Sequence, residues 1–330
     1  MAQQQEVVRF EAQHAAMGTM YSIMAYAPPS VSLPDAVQRA FEEIDRLESL
    51  MSYHRPTSEI CAVNHGAFKA PVQVAPELLA LLEEAIGLSE QTGGAFDVTV
   101  GPLMKAWGFF RRQGCLPGEA KLAEALKRTG YRHISLDRKA RTVGFDQEGM
   151  EIDLGAIGKG YAVDRVVDVL LAHGVRSALI SSGGSSIAAL GAPPGELGWE
   201  ISLRDPFDPR IEARTLRLRN LSISISGGCE QMFVLDGKAY THLIDPRNGQ
   251  PAEGVVMTAV IGRSNALIDA LSTAFFVLGA EGTREFLGCH EGITTIWFSL
   301  SGTVGAISQT MLASSNLVLP ENCLLEFGDA

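Results

Sequence analysis

Asp269 and Thr273 stand four residues apart in the segment Ala266-Leu267-Ile268-Asp269-Ala270-Leu271-Ser272-Thr273. On a helix, residues i and i+4 share a face. A carboxylate and a hydroxyl there are hard oxygen donors suited to Mg2+, with a backbone carbonyl and substrate phosphates to complete the sphere. A second reading stays open. Close to a helix start, beside Asn265, Asp269 is also the kind of residue that bonds free backbone N–H groups. The rest of the segment is largely apolar, so a carboxylate left without a partner would be costly.

The stretch Ile152-Asp153-Leu154-Gly155-Ala156-Ile157-Gly158-Lys159-Gly160-Tyr161 puts three glycines and a lysine before a helical pattern. A helix N-terminus offers free N–H groups and a positive dipole end, which suits a phosphate. It is not a Walker A loop, because Gly160 stands where a Ser or Thr should bind Mg2+. A glycine-rich turn with a surface lysine is the plainer alternative. Ser181-Ser182-Gly183-Gly184-Ser185-Ser186 and Ser226-Gly227-Gly228 each follow a short apolar strand pattern, as anion-facing loops or as ordinary turns. His242 leaves a hairpin just before the turn Asp245-Pro246. A neutral imidazole there is a candidate general base, and a structural histidine is the competing reading.

Five helical repeats must position these groups. They carry Val37 to Met51, Pro76 to Ile86 with a stop at Gly93-Gly94, Glu119 to Lys127, Ala162 to Leu170 with a stop at His173-Gly174, and Ala266 to Val277 with a stop at Gly279. Strand patterns fall at Ala178 to Ser181, Leu216 to Ile225, Phe233 to Leu235, Lys238 to Tyr240, Val255 to Ile261, Thr294 to Phe298 and Thr303 to Ile307. Asp236-Gly237 marks a hairpin. Hairpins with helices between them predict an α+β fold with antiparallel or mixed sheets, not a doubly wound parallel sheet. No stretch reads as a linker, which predicts one continuous domain over residues 1–330.

The chain has 330 residues, of which 46% are hydrophobic, enough for a large core. Its net charge is −11, with 38 acidic and 27 basic residues and no basic stripe, which argues against a nucleic-acid groove. A polyanionic ligand would therefore need local neutralisation. Five cysteines with no CxxC pair fit neither a disulfide framework nor a zinc site. The polar start, with Gln3, Gln4, Gln5 and Glu6, does not read as a signal peptide. No apolar run reaches the ~18 residues of a membrane span. These readings predict a cytoplasmic protein without membrane insertion.

Taken in order, these segments resemble the ApbE family of FAD:protein FMN transferases. The resemblance runs from about Met17 to Gly279. It rests on Met17-Gly18-Thr19, Met51-Ser52-Tyr53, Ser58-Glu59, Asn64, Gly94 to Leu103, Asp153 to Asp164, Gly183-Gly184, Ser226-Gly227, His242 to Pro246 with Gly249, and Ala266 to Thr273. It implies a T-fold-like α+β architecture with FAD between two lobes. It implies Mg2+ held by Asp269, Thr273 and the carbonyl of Ala156. It places Met17, Tyr53, Asp97, Thr99, Gly155, Lys159, Ser181, Gly183, Gly184, Ser226, Gly227, His242 and Ile244 around FAD. The implied reaction moves FMN, through its phosphate, onto a Thr or Ser hydroxyl of an acceptor flavoprotein and releases AMP. His242 would take the hydroxyl proton. Two positions depart from the family's usual pattern: Ser185, where an acidic residue is common, and Gly228-Cys229, where an acidic and an aromatic residue are. A metal-dependent FAD pyrophosphatase using water, and a flavin-binding or delivery protein without chemistry, are the alternatives.

Overall fold

The computed structural model describes residues 6–111, 113–208, 210–228, 231–300, 307–313 and 322–328. The chain opens with a hairpin of β1 (Val8–Ala16) and β2 (Thr19–Ala27), followed by α1 (Leu33–Met51) and α2 (Glu59–Gly66). Next come β3 (Val72–Gln73), α3 (Pro76–Gln91), α4 (Gly101–Ala106), α5 (Glu119–Lys127), β4 (Ile134–Asp137) and β5 (Thr142–Phe145). α6 (Gly158–Ala172) leads into β6 (Ser177–Ser182), β7 (Ser186–Leu190), β8 (Trp199–Arg204), β9 (Glu212–Arg219) and β10 (Leu221–Gly227). The hairpin β11 (Met232–Leu235) and β12 (Lys238–Thr241) precedes β13 (Val255–Gly262), α7 (Asn265–Cys289), β14 (Thr294–Leu300), β15 (Ile307–Ala313) and β16 (Leu324–Phe327).

Every described strand pairing is antiparallel, so the expected α+β class is the one observed. The main sheet runs β1-β2-β6-β7-β10-β13-β14-β15. Its strands send alternate residues to opposite faces. Ile180, Ala188 and Val260 join α1, α3, α6 and α7 in one core. Their neighbours Leu179, Ala189 and Ala259 join the small sheet β16-β9-β8 in a second. Both faces of the sheet are thus covered, and the helices that carry the candidate residues are fixed against one of them.

Helix boundaries follow local chemistry. α3 starts at Pro76 and is followed by Gly93 and Gly94 at φ 59° and 81°. The Asp236-Gly237 turn has positive φ at both residues, the conformation that matches the twist of a tight hairpin. α7 corrects the sequence reading in part. Gly279 does leave helical geometry (φ 74°, ψ 177°), but a further helical stretch continues to Cys289. Against the expectation that no apolar run is long enough, α7 could cross a bilayer by length and composition alone. It packs instead as a core helix, burying Ile268, Leu271, Phe275 and Phe276. The expected strand at Thr303 to Ile307 falls mostly outside the described residues, which pick up β15 at Ile307.

The packing of α6 on α7 determines the site. Gly160, on the first turn of α6, faces α7 so closely that a Cβ there would lie 2.3 Å from the Asn265 carbonyl oxygen and 2.7 Å from Asp269 Cβ. Neither atom can move without shifting a helix. Gly160→Ala is expected to lower stability by about 1–3 kcal/mol, the usual cost of overpacking a tight core. A denaturant titration measures it, and an unchanged midpoint would mean the helices are free to separate.

Candidate active site

α7 begins at Ser264, whose hydroxyl accepts the Leu267 N–H, and Asp164 from α6 accepts the N–H groups of Asn265 and Ala266. The start of α7 is therefore already capped without Asp269, which instead bonds a backbone N–H in the first turn of α6. Both oxygens of its carboxylate are partnered, which removes the cost that an apolar setting would impose on an unpaired charge. Its Oδ2 accepts the Gly160 N–H at 2.9 Å, and its Oδ1 accepts the Ser224 hydroxyl at 2.8 Å. Ser186 Oγ lies 3.3 Å from the same Oδ1. One turn on, Thr273 Oγ1 lies 3.3 Å from Ser226 Oγ.

Asp269, Thr273 and Ala156 line one cavity of about 220 Å3, together with Asp97, Gly155, Lys159, Ser226, Gly227, His242 and Ile244. A second cavity of about 580 Å3 is lined by Met17, Tyr53, His54, Phe109 and Phe110. The two share Met104, Asp153, Gly155, Lys159 and His242, so they form one cleft with a waist. Lys159 stands at that waist and makes no ion pair among the described residues. The N-cap Ile157 gives α6 no side-chain cap, and Asp269 of α7 accepts the Gly160 N–H in its first turn. Lys159 thus brings positive charge and a helix start to a waist that also carries the carboxyl group of Asp153.

His242 follows β12, and its Nδ1 lies 3.0 Å from the Gln231 carbonyl oxygen. A carbonyl only accepts, so the neutral ring carries its proton on Nδ1 and keeps a free lone pair on Nε2. Burial, and to a lesser degree the charge of Lys159, hold the imidazole below its ordinary pKa of 6.5, while the Gln231 contact pulls the other way. The ring rests edge-on to Phe109, 6.4 Å between centroids. Its strand is held by Phe233, which stacks on Tyr240 at 5.0 Å.

The remaining sequence candidates divide. Met17 sits at the β1–β2 turn with φ 50°, strained for a residue other than glycine. Glu48 Oε1 accepts its N–H at 2.9 Å and Tyr21 donates its hydroxyl to the sulfur at 3.2 Å. Tyr53 donates its hydroxyl to Glu151, which also pairs with Lys105 at 2.5 Å. Asp97 reaches the cleft, with its carboxylate accepting from Thr99 and from the Tyr131 N–H. Thr99 itself is fully buried behind Asp97, where its Oγ1 accepts the Gly130 N–H. Ser181, Gly183 and Gly184 do not line either cavity. They form the β6–β7 turn, where Gly184 N–H donates to Ser181 Oγ and Gly183 N–H to the Met20 carbonyl, beside the Met17 turn. Ser185 lies in the same turn, and Cys229 lies outside the described residues.

Sequence reasoning missed several cleft residues. Asp153 lines both cavities, accepts the Gly155 N–H at 2.9 Å, and has its carboxyl raised above the ordinary range, chiefly by burial. Its place two before Gly155 was the available signal. Phe110 packs 4.7 Å from Tyr53 and 4.9 Å from His54, forming an aromatic wall. It sits on a short 3-10 turn that no periodicity reveals. Ser186 and Ser224 had no sequence signal toward Asp269.

The fold is a layered antiparallel α+β one, with two joined cavities and the oxygen donors of α7 lining one of them. A family profile described as ApbE family matches residues 17–297, and the chain belongs to that family. It is 32% identical over 323 residues to an FAD:protein FMN transferase of Treponema pallidum (strain Nichols), covering 92% of this chain and 89% of that one. Its structure resembles the ApbE protein of Thermotoga maritima, with TM-score 0.82, 29% identity and coverage of 92% and 97% of the two chains. It also resembles the flavin transferase ApbE of Vibrio cholerae, with TM-score 0.81, 27% identity and coverage of 94% and 98%. By this membership the chain is a transferase.

Proposed function

We propose that the enzyme binds FAD across the cleft and transfers its FMN half to a Thr or Ser hydroxyl of an acceptor flavoprotein, releasing AMP. The observation that carries this reading is the waist between two cavities, where Lys159, Gly155 and His242 meet beside Asp269, Thr273 and the Ala156 backbone. A dinucleotide has the matching form, two bulky ends joined by a pyrophosphate. The larger cavity, with Tyr53, Phe109 and Phe110, suits the isoalloxazine ring. The smaller one suits the adenosine end.

The donor set also fits a hard cation. Asp269 uses three of the roughly four acceptor positions of its carboxylate on Gly160, Ser224 and Ser186, leaving one toward the cavity. Thr273 and the Ala156 carbonyl add neutral oxygens. Among the described residues no three His, Cys, Asp or Glu side chains cluster as a metal cage. One carboxylate plus neutral donors is what Mg2+ uses when substrate phosphates complete its sphere. When bound there, the cation would withdraw charge from the phosphates and ease departure of the leaving group.

The chain's own residues supply the rest. Lys159 and the start of α6 offset pyrophosphate charge. His242 Nε2 accepts the proton of the incoming hydroxyl as that oxygen bonds to the FMN phosphorus. The bond between the two phosphates breaks, and its oxygen leaves with AMP. FAD is expected to bind substantially more tightly than FMN or riboflavin in the presence of Mg2+, because only FAD reaches both cavities and the waist. Isothermal calorimetry compares the three ligands, and equal affinities for FAD and FMN would defeat this reading.

A further inference from the structure

Asp269 is oriented by two serines on adjacent strands. In the antiparallel pair β7 and β10, Ser186 and Ser224 are directly opposed. Alternation places Ile223 in the far core and turns Ser224 toward α7. Both serines are fully buried. Their hydroxyl oxygens lie 3.4 Å apart, and both converge on Asp269 Oδ1, Ser224 at 2.8 Å and Ser186 at 3.3 Å. The Ser185 carbonyl oxygen, 3.2 Å from Ser224 Oγ, is a more distant acceptor for the same proton and already takes the Ile225 N–H, so the shorter Asp269 contact holds it. Gly160 N–H approaches the other oxygen, Oδ2, at 2.9 Å.

We infer that Ser186 and Ser224 are positioning residues for the cation site, a hydroxyl pair that occupies Oδ1 so that Asp269 presents Oδ2 to the metal. The inference rests on the proposed reading that Asp269 is a metal ligand. Two donors on Oδ1 fill its acceptor capacity, whereas Oδ2 receives a single N–H and retains one acceptor position. A carboxylate pinned in this way binds in one orientation, and groups that hold a metal ligand through hydrogen bonds influence affinity nearly as strongly as the ligands do. A purely structural role predicts something different: loss of stability when either hydroxyl is removed, with an unaltered metal site.

The test uses Mn2+ as probe, titrated into the full chain with FAD. Binding is read from loss of the free Mn2+ EPR signal, with FAD and Mn2+ alone as the blank. Ser224→Ala, Ser186→Ala and the double variant are compared with wild type, Asp269→Asn and the hydroxyl-retaining Ser224→Thr. Each variant's melting temperature is recorded. The inference expects Ser224→Ala to weaken Mn2+ about 10–100-fold. Ser186→Ala, at the longer distance, should cost less, and Ser224→Thr should restore most of the affinity. Mn2+ affinity within two-fold of wild type in the double variant would overturn it, provided Asp269→Asn has lost binding. If Asp269→Asn also binds Mn2+ like wild type, the metal-ligand reading fails and this inference falls with it.

Discussion

His242→Ala should lower turnover by about 10²–10⁴-fold, the usual worth of a positioned general base, while FAD affinity changes little. The split follows from geometry. The ring stands at the waist of the cleft with Nδ1 engaged by the Gln231 carbonyl, so Nε2 is the atom free to take a proton. The pH dependence is a second signature. Only the neutral ring can act as base, and burial with the Lys159 charge places its pKa below 6.5. The neutral form therefore persists as pH falls toward 6.5. The acid limb of kcat/KM should appear below that value, not at it. His242→Ala should remove this limb. Lys159→Met should raise the imidazole pKa by deleting a like charge, moving the limb to higher pH. Steady-state rates across pH measure all three, and a His242→Ala enzyme within a few-fold of wild type would place the base elsewhere.

Asp269→Asn should raise the Mg2+ concentration needed for half-maximal activity at least as much as losing a supporting hydrogen bond would, about 10–100-fold, and should depress the maximal rate as well. Asn keeps one oxygen but loses the charge, and Thr273 with the Ala156 carbonyl adds none. Folding should change little. The amide oxygen can still accept the Gly160 N–H, and the amide NH2 can point at Ser224 and Ser186, whose hydroxyls rotate to accept. A purely structural role as a helix-start acceptor predicts a lowered melting point with an ordinary metal requirement; Ser264 and Asp164 fill that role on α7, and Asp269 meets it on α6 through the Gly160 N–H. A Mg2+ titration with a melting curve separates the two outcomes. An unchanged Mg2+ requirement would remove Asp269 from the metal site.

The groups legible in the sequence are those whose signal is local. The glycine turn ahead of α6, the Asp236-Gly237 hairpin and the i, i+4 spacing of Asp269 and Thr273 each depend on a few consecutive residues. The missing parts depend on register between distant strands. Ser186 lies 83 residues from Asp269, and Ser224 lies 45. Nothing near either serine in the chain points to a carboxylate. β10 illustrates the limit: its Leu221, Ile223 and Ile225 alternation correctly marks a strand, yet its polar face is buried under α7, so Ser222 and Ser224 are nearly inaccessible. Period two reports that two faces differ and leaves open which one meets solvent. β1 and β2 are also absent from the sequence reading, because Met17 takes the positive φ of their turn without being one of the residue types that signal it. Asp153 and Phe110 reach the cleft only because the loop before α6 and the turn after α4 converge on it.

In the proposed reaction the nucleophile is a protein hydroxyl and not water. The direct measurement incubates the enzyme with FAD and Mg2+, with and without an acceptor flavoprotein, following AMP by chromatography and the acceptor by intact-mass spectrometry. The prediction is AMP release only with acceptor, in step with one covalently attached FMN, and loss of both when the acceptor Thr or Ser is changed to Ala. AMP and free FMN appearing at the same rate without acceptor would contradict the claim and identify a hydrolase, and no AMP under either condition would leave a flavin-binding protein.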